Sequence, residues 1–188
     1  MTFDPRRICR ELNAHGVRYV LVGGFAAAVH GSPLPTDDVD IVPARYTDNL
    51  DRLGAALTSL GARIRTGGEP VLTRIDGAFL AAMPFMLNLT TPYGDLDLTF
   101  RPAGPLEGYA GWAEGASEIT IAADVRVRVA SLDDVIDSKR AAGRDKDVRA
   151  LPYLESLQDE LRDRRPDCTP TRGITPAVRL GTPLDDDG

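Results

Sequence analysis

The stretch Asp38-Val39-Asp40-Ile41-Val42 limits the possible folds more than any other part of this sequence. Carboxylate and β-branched residues alternate in it. Successive side chains on a strand leave opposite faces, so the pattern predicts a strand with Val39 and Ile41 turned into a core. Asp38 and Asp40 then share the other face. Two neighbouring carboxylates repel each other unless a cation lies between them. Carboxylate oxygens suit a hard ion such as magnesium. A solvated strand edge with both charges in water is the bland alternative, and these residues alone leave it open.

Around that strand the chain reads as alternating helices and strands. Asp4-Pro5 is a helix start, with Ile8 and Leu12 on one face and Gly16 as the stop. Val17–Val22 reads as a strand, broken by Gly23-Gly24, and Phe25–His30 as a short helix closed by Gly31. Ser32–Asp37 is a loop. Thr47 is expected to cap a helix with Leu50, Leu53, Leu57 and Leu60 at helical spacing. Residues 62–83 give weak signals, compatible with a strand and then a short helix after Thr73. Phe85–Thr91 and Leu96–Phe100 form a predicted hairpin turned by Pro92-Tyr93-Gly94. Ile119–Ile121 and Val125–Val129 read as short strands. Ser131 caps a helix to about Ala142, and a last helix covers Lys146–Arg162.

With 188 residues, 43% hydrophobic and 27% charged, the chain suffices for one mid-sized domain with a core, or one domain plus a short appendage. From Pro166 onward prolines, glycines and an acidic end predict a mobile tail. A net charge of −6 argues against a surface broadly attractive to nucleic acid, though a local basic patch is compatible with it. Cys9 and Cys168 match no zinc or redox spacing and read as two reduced thiols. The polar start, Met1–Arg10, predicts no signal peptide, and no apolar run approaches a membrane span. A cytoplasmic protein without a membrane partner is expected.

The chemistry concentrates between Gly23 and Asp40. Paired glycines after a strand let the backbone approach a ligand, and a helix starting there presents free N–H groups to an anion. Any tight strand-to-helix turn can use the same glycines. The combination is more specific: Val22-Gly23-Gly24, thirteen residues, then Asp38-Val39-Asp40-Ile41. It resembles the signature of the nucleotidyltransferase superfamily, which has the polymerase-β-like fold. That resemblance implies a third carboxylate on a later neighbouring strand. Leu96-Asp97-Leu98 supplies one, with Asp95 a weaker candidate on the same face.

Three further segments resemble AbiEii-like and MenT-like toxin nucleotidyltransferases of toxin–antitoxin systems. They are Gly31-Ser32-Pro33-Leu34-Pro35-Thr36-Asp37-Asp38, the hairpin Thr91–Leu98, and Leu132–Lys139 followed by Ala141–Asp147. The resemblance spans residues 17 to about 155. It departs at Leu34, where many relatives carry arginine. It implies that Asp38, Asp40 and Asp97 hold two magnesium ions, with manganese as a substitute. It also implies that Lys139 contacts nucleotide phosphates, that Asp147 completes the catalytic set, and that Gly23, Gly24, Thr36 and Arg144 bind nucleotide. Without it, Lys139, Arg140, Arg144, Lys146 and Arg149 would be read as a solvated helix face. His15 and His30 read as helix-end residues, and Tyr93, Tyr109 and Trp112 as packing groups.

The expected architecture is an α/β (α+β) fold with a small mixed sheet flanked by helices. Residues 1–130 would be the catalytic core, 131–165 a C-terminal helical portion completing the site, and 166–188 the tail. The expected activity is metal-dependent transfer of NMP from an NTP to an acceptor hydroxyl. The resemblance points to a toxin acting on the 3′ end of tRNA, with a cognate antitoxin as partner. The rival of the same class is an adenylyltransferase of antibiotics, other small molecules or proteins. The rival of a different class is a degenerate partner-binding module, against which the presence of all three aspartates speaks.

Overall fold

The computed structural model describes residues 3–164. The predicted tail and Cys168 lie outside the described residues.

Fourteen elements follow in chain order: α1 (Pro5–Ala14), β1 (Tyr19–Val22), α2 (Gly23–Val29), β2 (Asp38–Pro43), α3 (Thr47–Ser59), β3 (Arg63–Ile64), α4 (Gly77–Ala81), β4 (Met86–Thr91), β5 (Gly94–Thr99), α5 (Gly108–Gly115), β6 (Ser117–Ala122), β7 (Val125–Val129), α6 (Leu132–Ala142) and α7 (Asp145–Asp163). The seven strands form one sheet in the order β3-β4-β5-β2-β1-β7-β6. The β2–β5 and β1–β7 pairs are parallel and the other pairs antiparallel, so the sheet is mixed, as expected. Helices flank it, and the α/β architecture anticipated from the sequence is the one observed.

Local chemistry explains most of the elements. Asp4 caps α1 by accepting from the Arg7 backbone N–H, with Pro5 at the first helical position. The β4–β5 hairpin closes where the Thr91 hydroxyl donates to the Gly94 carbonyl and accepts from the Tyr93 N–H. Ser131 caps α6 through the Asp134 N–H. Gly143, at φ 60°, ends α6 in the left-handed region and turns the chain into α7.

The core runs along the sheet and under the helices. Val39 and Ile41 are fully buried, and so are Leu96 and Leu98 on the adjacent strand. Leu132, Val135 and Ile136 of α6 and Leu154 of α7 belong to the same core cluster. That packing fixes the two C-terminal helices against the sheet.

Some details differ from the sequence reading. Tyr46 is the residue before α3 and gives no side-chain cap, so Thr47 opens the helix instead of capping it. Helix α2 begins at Gly23, two residues before Phe25. The weakly signalled segment 62–83 agrees with its reading as a strand and then a short helix: it holds β3 and α4, the latter capped by Asp76 through the Phe79 N–H. Helix α5 is an element the sequence did not announce. Three glycines and one buried side chain, Trp112, leave it without an apolar stripe.

Candidate active site

The centre of the sheet assembles the carboxylates. Strands β2 and β5 pair in parallel with Asp38 opposite Asp95 and Asp40 opposite Asp97. In-register partners point to the same face, so all four carboxylates emerge together. Oxygens of Asp38, Asp40 and Asp97 lie within 4.8 Å of one another. Asp38 and Asp40 are half-buried and Asp97 is buried. Burial, with Asp38 and Asp97 alongside, pushes the Asp40 carboxyl up to about 7, with Lys146 and Lys139 pulling the other way. Burial also raises Asp97, against the pull of Arg65 and Asn88.

The glycine pair makes room for this cluster. Gly23 has φ 68°, a conformation that disfavours a side chain, and a Cβ there would stand 2.0 Å from Asp40 Oδ2. A Cβ on Gly24 would stand 2.7 Å from Thr36 Oγ1. Thr36 in turn donates its hydroxyl proton to Asp38 Oδ1 at 2.9 Å. Strand, turn and loop therefore meet at the first two aspartates, and the small residues are what allow the meeting.

Facing the carboxylates is a group of cations on α6, the α6–α7 turn and the start of α7. Lys139 Nζ donates to Asp147 Oδ1 at 3.1 Å, and Arg144 Nε donates to Asp147 Oδ2 at 2.6 Å. Asp147 is fully buried. Burial works to raise its carboxyl, but hydrogen bonds from Arg144 and Lys139 prevail and hold it below the usual range. Lys139, Arg144, Lys146 and Arg149 line the same cavity as the triad, about 1060 Å³ in volume, together with Gly23, Gly24 and Thr36. Asp147 does not line it. That carboxylate sits behind Lys139 and Arg144 and anchors them.

Sequence reasoning missed two contributors. Arg65, immediately after β3, donates through Nη2 to Asp97 Oδ1 at 2.7 Å and Oδ2 at 2.9 Å, and through Nη1 to Asp95. Asn88 of β4 donates to Asp97 Oδ2 at 2.8 Å. The alternation of β4 could have placed Asn88, which is opposite Asp97. No local signal marks Arg65. The residues expected to be structural are so: His30 Nε2 lies 2.7 Å from the Ala130 carbonyl, Trp112 is buried, and Tyr93 lies beneath Arg7.

No protein-family model matches the sequence, and no curated protein matches it. Solved structures do. The antibiotic-resistance factor ANT(2'')-Ia in solution aligns at 17% identity over 85% of this chain and 92% of its own, with a TM-score of 0.50. The crystal structure of the same factor with adenylyl-2''-tobramycin gives 18% identity, 84% and 94% coverage, and 0.51. The lincomycin-bound lincosamide antibiotic adenylyltransferase LnuA gives 18%, 78%, 90% and 0.50. The chain thus has the fold of the nucleotidyltransferases. Among the described residues no helix is long and apolar enough to cross a membrane.

Proposed function

We propose that this chain transfers a nucleoside monophosphate from a nucleoside triphosphate to an acceptor hydroxyl, releasing pyrophosphate. One observation carries the reading: three carboxylates converge within 4.8 Å and share a cavity with Lys139, Arg144, Lys146 and Arg149. A triphosphate needs opposite charge along its length, and a carboxylate cluster does not supply it. The arrangement provides cations at one end and a metal-ligating set at the other.

The residues present fit magnesium, with manganese as a substitute. All three donors are hard oxygens, and Gly23 leaves open the space beside Asp40 that a Cβ would fill. Two bound divalent ions would supply positive charge at the attacking and leaving oxygens. Asp38, Asp40 and Asp97 would hold them. In the reaction the acceptor oxygen bonds to the α-phosphorus while the bond to the bridging pyrophosphate oxygen breaks and the hydroxyl proton departs. Lys139 and Arg144 are assigned the charge that builds on the leaving pyrophosphate. Asp147 positions both. Thr36 orients Asp38, and Gly23 and Gly24 allow close approach of the nucleotide.

Two acceptors follow from different grounds. The motif resemblance to AbiEii-like and MenT-like toxins supports the 3′ hydroxyl of tRNA, with a cognate antitoxin as protein partner. The fold likeness to ANT(2'')-Ia and LnuA supports a small-molecule hydroxyl. Partial engagement of the basic stretch favours a compact acceptor: Arg140 pairs with Asp137 and Glu155, and Lys139 and Arg144 turn to Asp147, which among the described residues leaves Lys146 and Arg149 of the five cations. Incubation of the protein with each labelled NTP, magnesium and cell extract identifies the acceptor. Label on tRNA, falling steeply with salt by about one log unit per phosphate contact for each tenfold rise in salt, supports the toxin reading. Label on a small molecule at a flat salt profile supports the second. Absence of label from every pool, with folded protein and all four NTPs, refutes the proposal.

A further inference from the structure

Asp97 is held more tightly than the other two members of the triad. A carboxylate offers about four lone-pair positions, two on each oxygen. Arg65 Nη2 takes one on Oδ1 at 2.7 Å and one on Oδ2 at 2.9 Å. Asn88 Nδ2 takes the second on Oδ2 at 2.8 Å. One position on Oδ1 is left. The two donors are themselves fixed. The Arg65 backbone N–H donates to the Asn88 carbonyl at 2.9 Å, extending the β3–β4 pairing, and Nη1 of Arg65 is tied to Asp95.

We infer that Arg65 and Asn88 are positioning residues that confine Asp97 to a single metal bond, made through Oδ1, and so bias the triad toward a small octahedral ion over calcium. The inference rests on the metal-site reading above. Magnesium takes one oxygen from each carboxylate at short, near-ideal octahedral geometry, whereas calcium accepts six to eight oxygens and uses bidentate carboxylates freely. With Oδ2 filled by N–H donors, Asp97 has no second oxygen to give. Calcium loses a ligand, and magnesium loses nothing.

The test separates coordination from charge. Mn2+ binding to the full chain is followed by electron paramagnetic resonance, and bound Mn2+ is displaced by Mg2+ or by Ca2+. Their ratio of affinities is then compared among wild type, Asn88→Ala and Arg65→Gln. Losing the Arg65 charge strengthens binding of both dications alike, and Asn88→Ala changes no charge, so the ratio reports coordination. The expected result is a shift of roughly ten-fold toward Ca2+ in each variant, the low end of what removing a residue behind a metal ligand costs or gains. Should Arg65→Gln fail to fold, Asn88→Ala decides alone. Mn2+ binding with an unchanged ratio overturns the inference and leaves the metal site standing. A folded wild type that binds no Mn2+ overturns both.

Discussion

Asp40 occupies an unfavourable position when no cation is bound, and replacing it should stabilise the metal-free protein. Burial and the charges of Asp38 and Asp97 bring its carboxyl from 3.8 to about 7. The folded value lies above the unfolded one, so the folded state binds more protons between those limits. The penalty for folding is therefore absent below about pH 4, grows as pH rises, and is complete above 7. At roughly 1.36 kcal/mol per pH unit the upper bound is near 4 kcal/mol. Asp40 is only half-buried, and solvent screening brings the expected figure to about 2 kcal/mol. In EDTA at pH 8, Asp40→Asn should thus melt about 6 °C above wild type, the usual conversion for a chain of this size. At pH 4 the difference should vanish. Saturating magnesium should reverse the order, because the wild type gains binding energy that the variant cannot. Thermal unfolding followed by circular dichroism measures all three. A variant less stable than wild type at pH 8 in EDTA, or a difference independent of pH, would refute the electrostatic argument.

Gly23→Ala adds a methyl 2.0 Å from Asp40 Oδ2 at a positive φ, so it should cost about 1–2 kcal/mol in stability and abolish most nucleotide transfer by displacing the aspartate; melting temperature and transfer rate check the two parts separately. Asp147→Ala leaves Lys139 and Arg144 without their anchor and should cost about 2 kcal/mol along with NTP affinity. Because the Asp147 carboxyl is held below its ordinary value, the wild type's advantage over this variant should be full above the carboxylate range and fade on acidification through it, which denaturation at pH 7 and pH 3 would show. Lys139→Ala should raise the NTP KM or lower kcat, and should also lower the melting temperature because it leaves the buried Asp147 carboxylate to Arg144 alone; steady-state kinetics and thermal unfolding decide the two parts.

The sheet was legible where local pattern and burial agree. Asp38-Val39-Asp40-Ile41 alternates because one face is core and the other is the site, so two successive aspartates announced both. Leu96-Asp97-Leu98 did the same on β5, and parallel pairing brought the two sets into register. Gly23-Gly24 marked a turn, but the reason for it, a carboxylate pressed against the backbone, exists only in three dimensions. Arg65 was invisible because its partners Asp95 and Asp97 are thirty or more residues away and β3 is only two residues long. Helix α5 escaped because Trp112 is its one buried side chain and three glycines break any apolar periodicity. Asp147 was placed in the catalytic set by resemblance, whereas its burial behind two cations gives it a positioning role in the proposed mechanism.

The most direct test of the central claim is transfer of labelled nucleotide by Asp38→Ala, Asp40→Ala and Asp97→Ala beside wild type, each with its melting temperature. If the three carboxylates form one metal-holding unit, every variant should lose transfer by at least about 1000-fold, the scale of removing a group that acts only in concert with others. The Asp38→Ala and Asp40→Ala proteins should still fold, melting no more than a few degrees below wild type. A folded variant that keeps a near-wild-type rate of transfer would contradict the account.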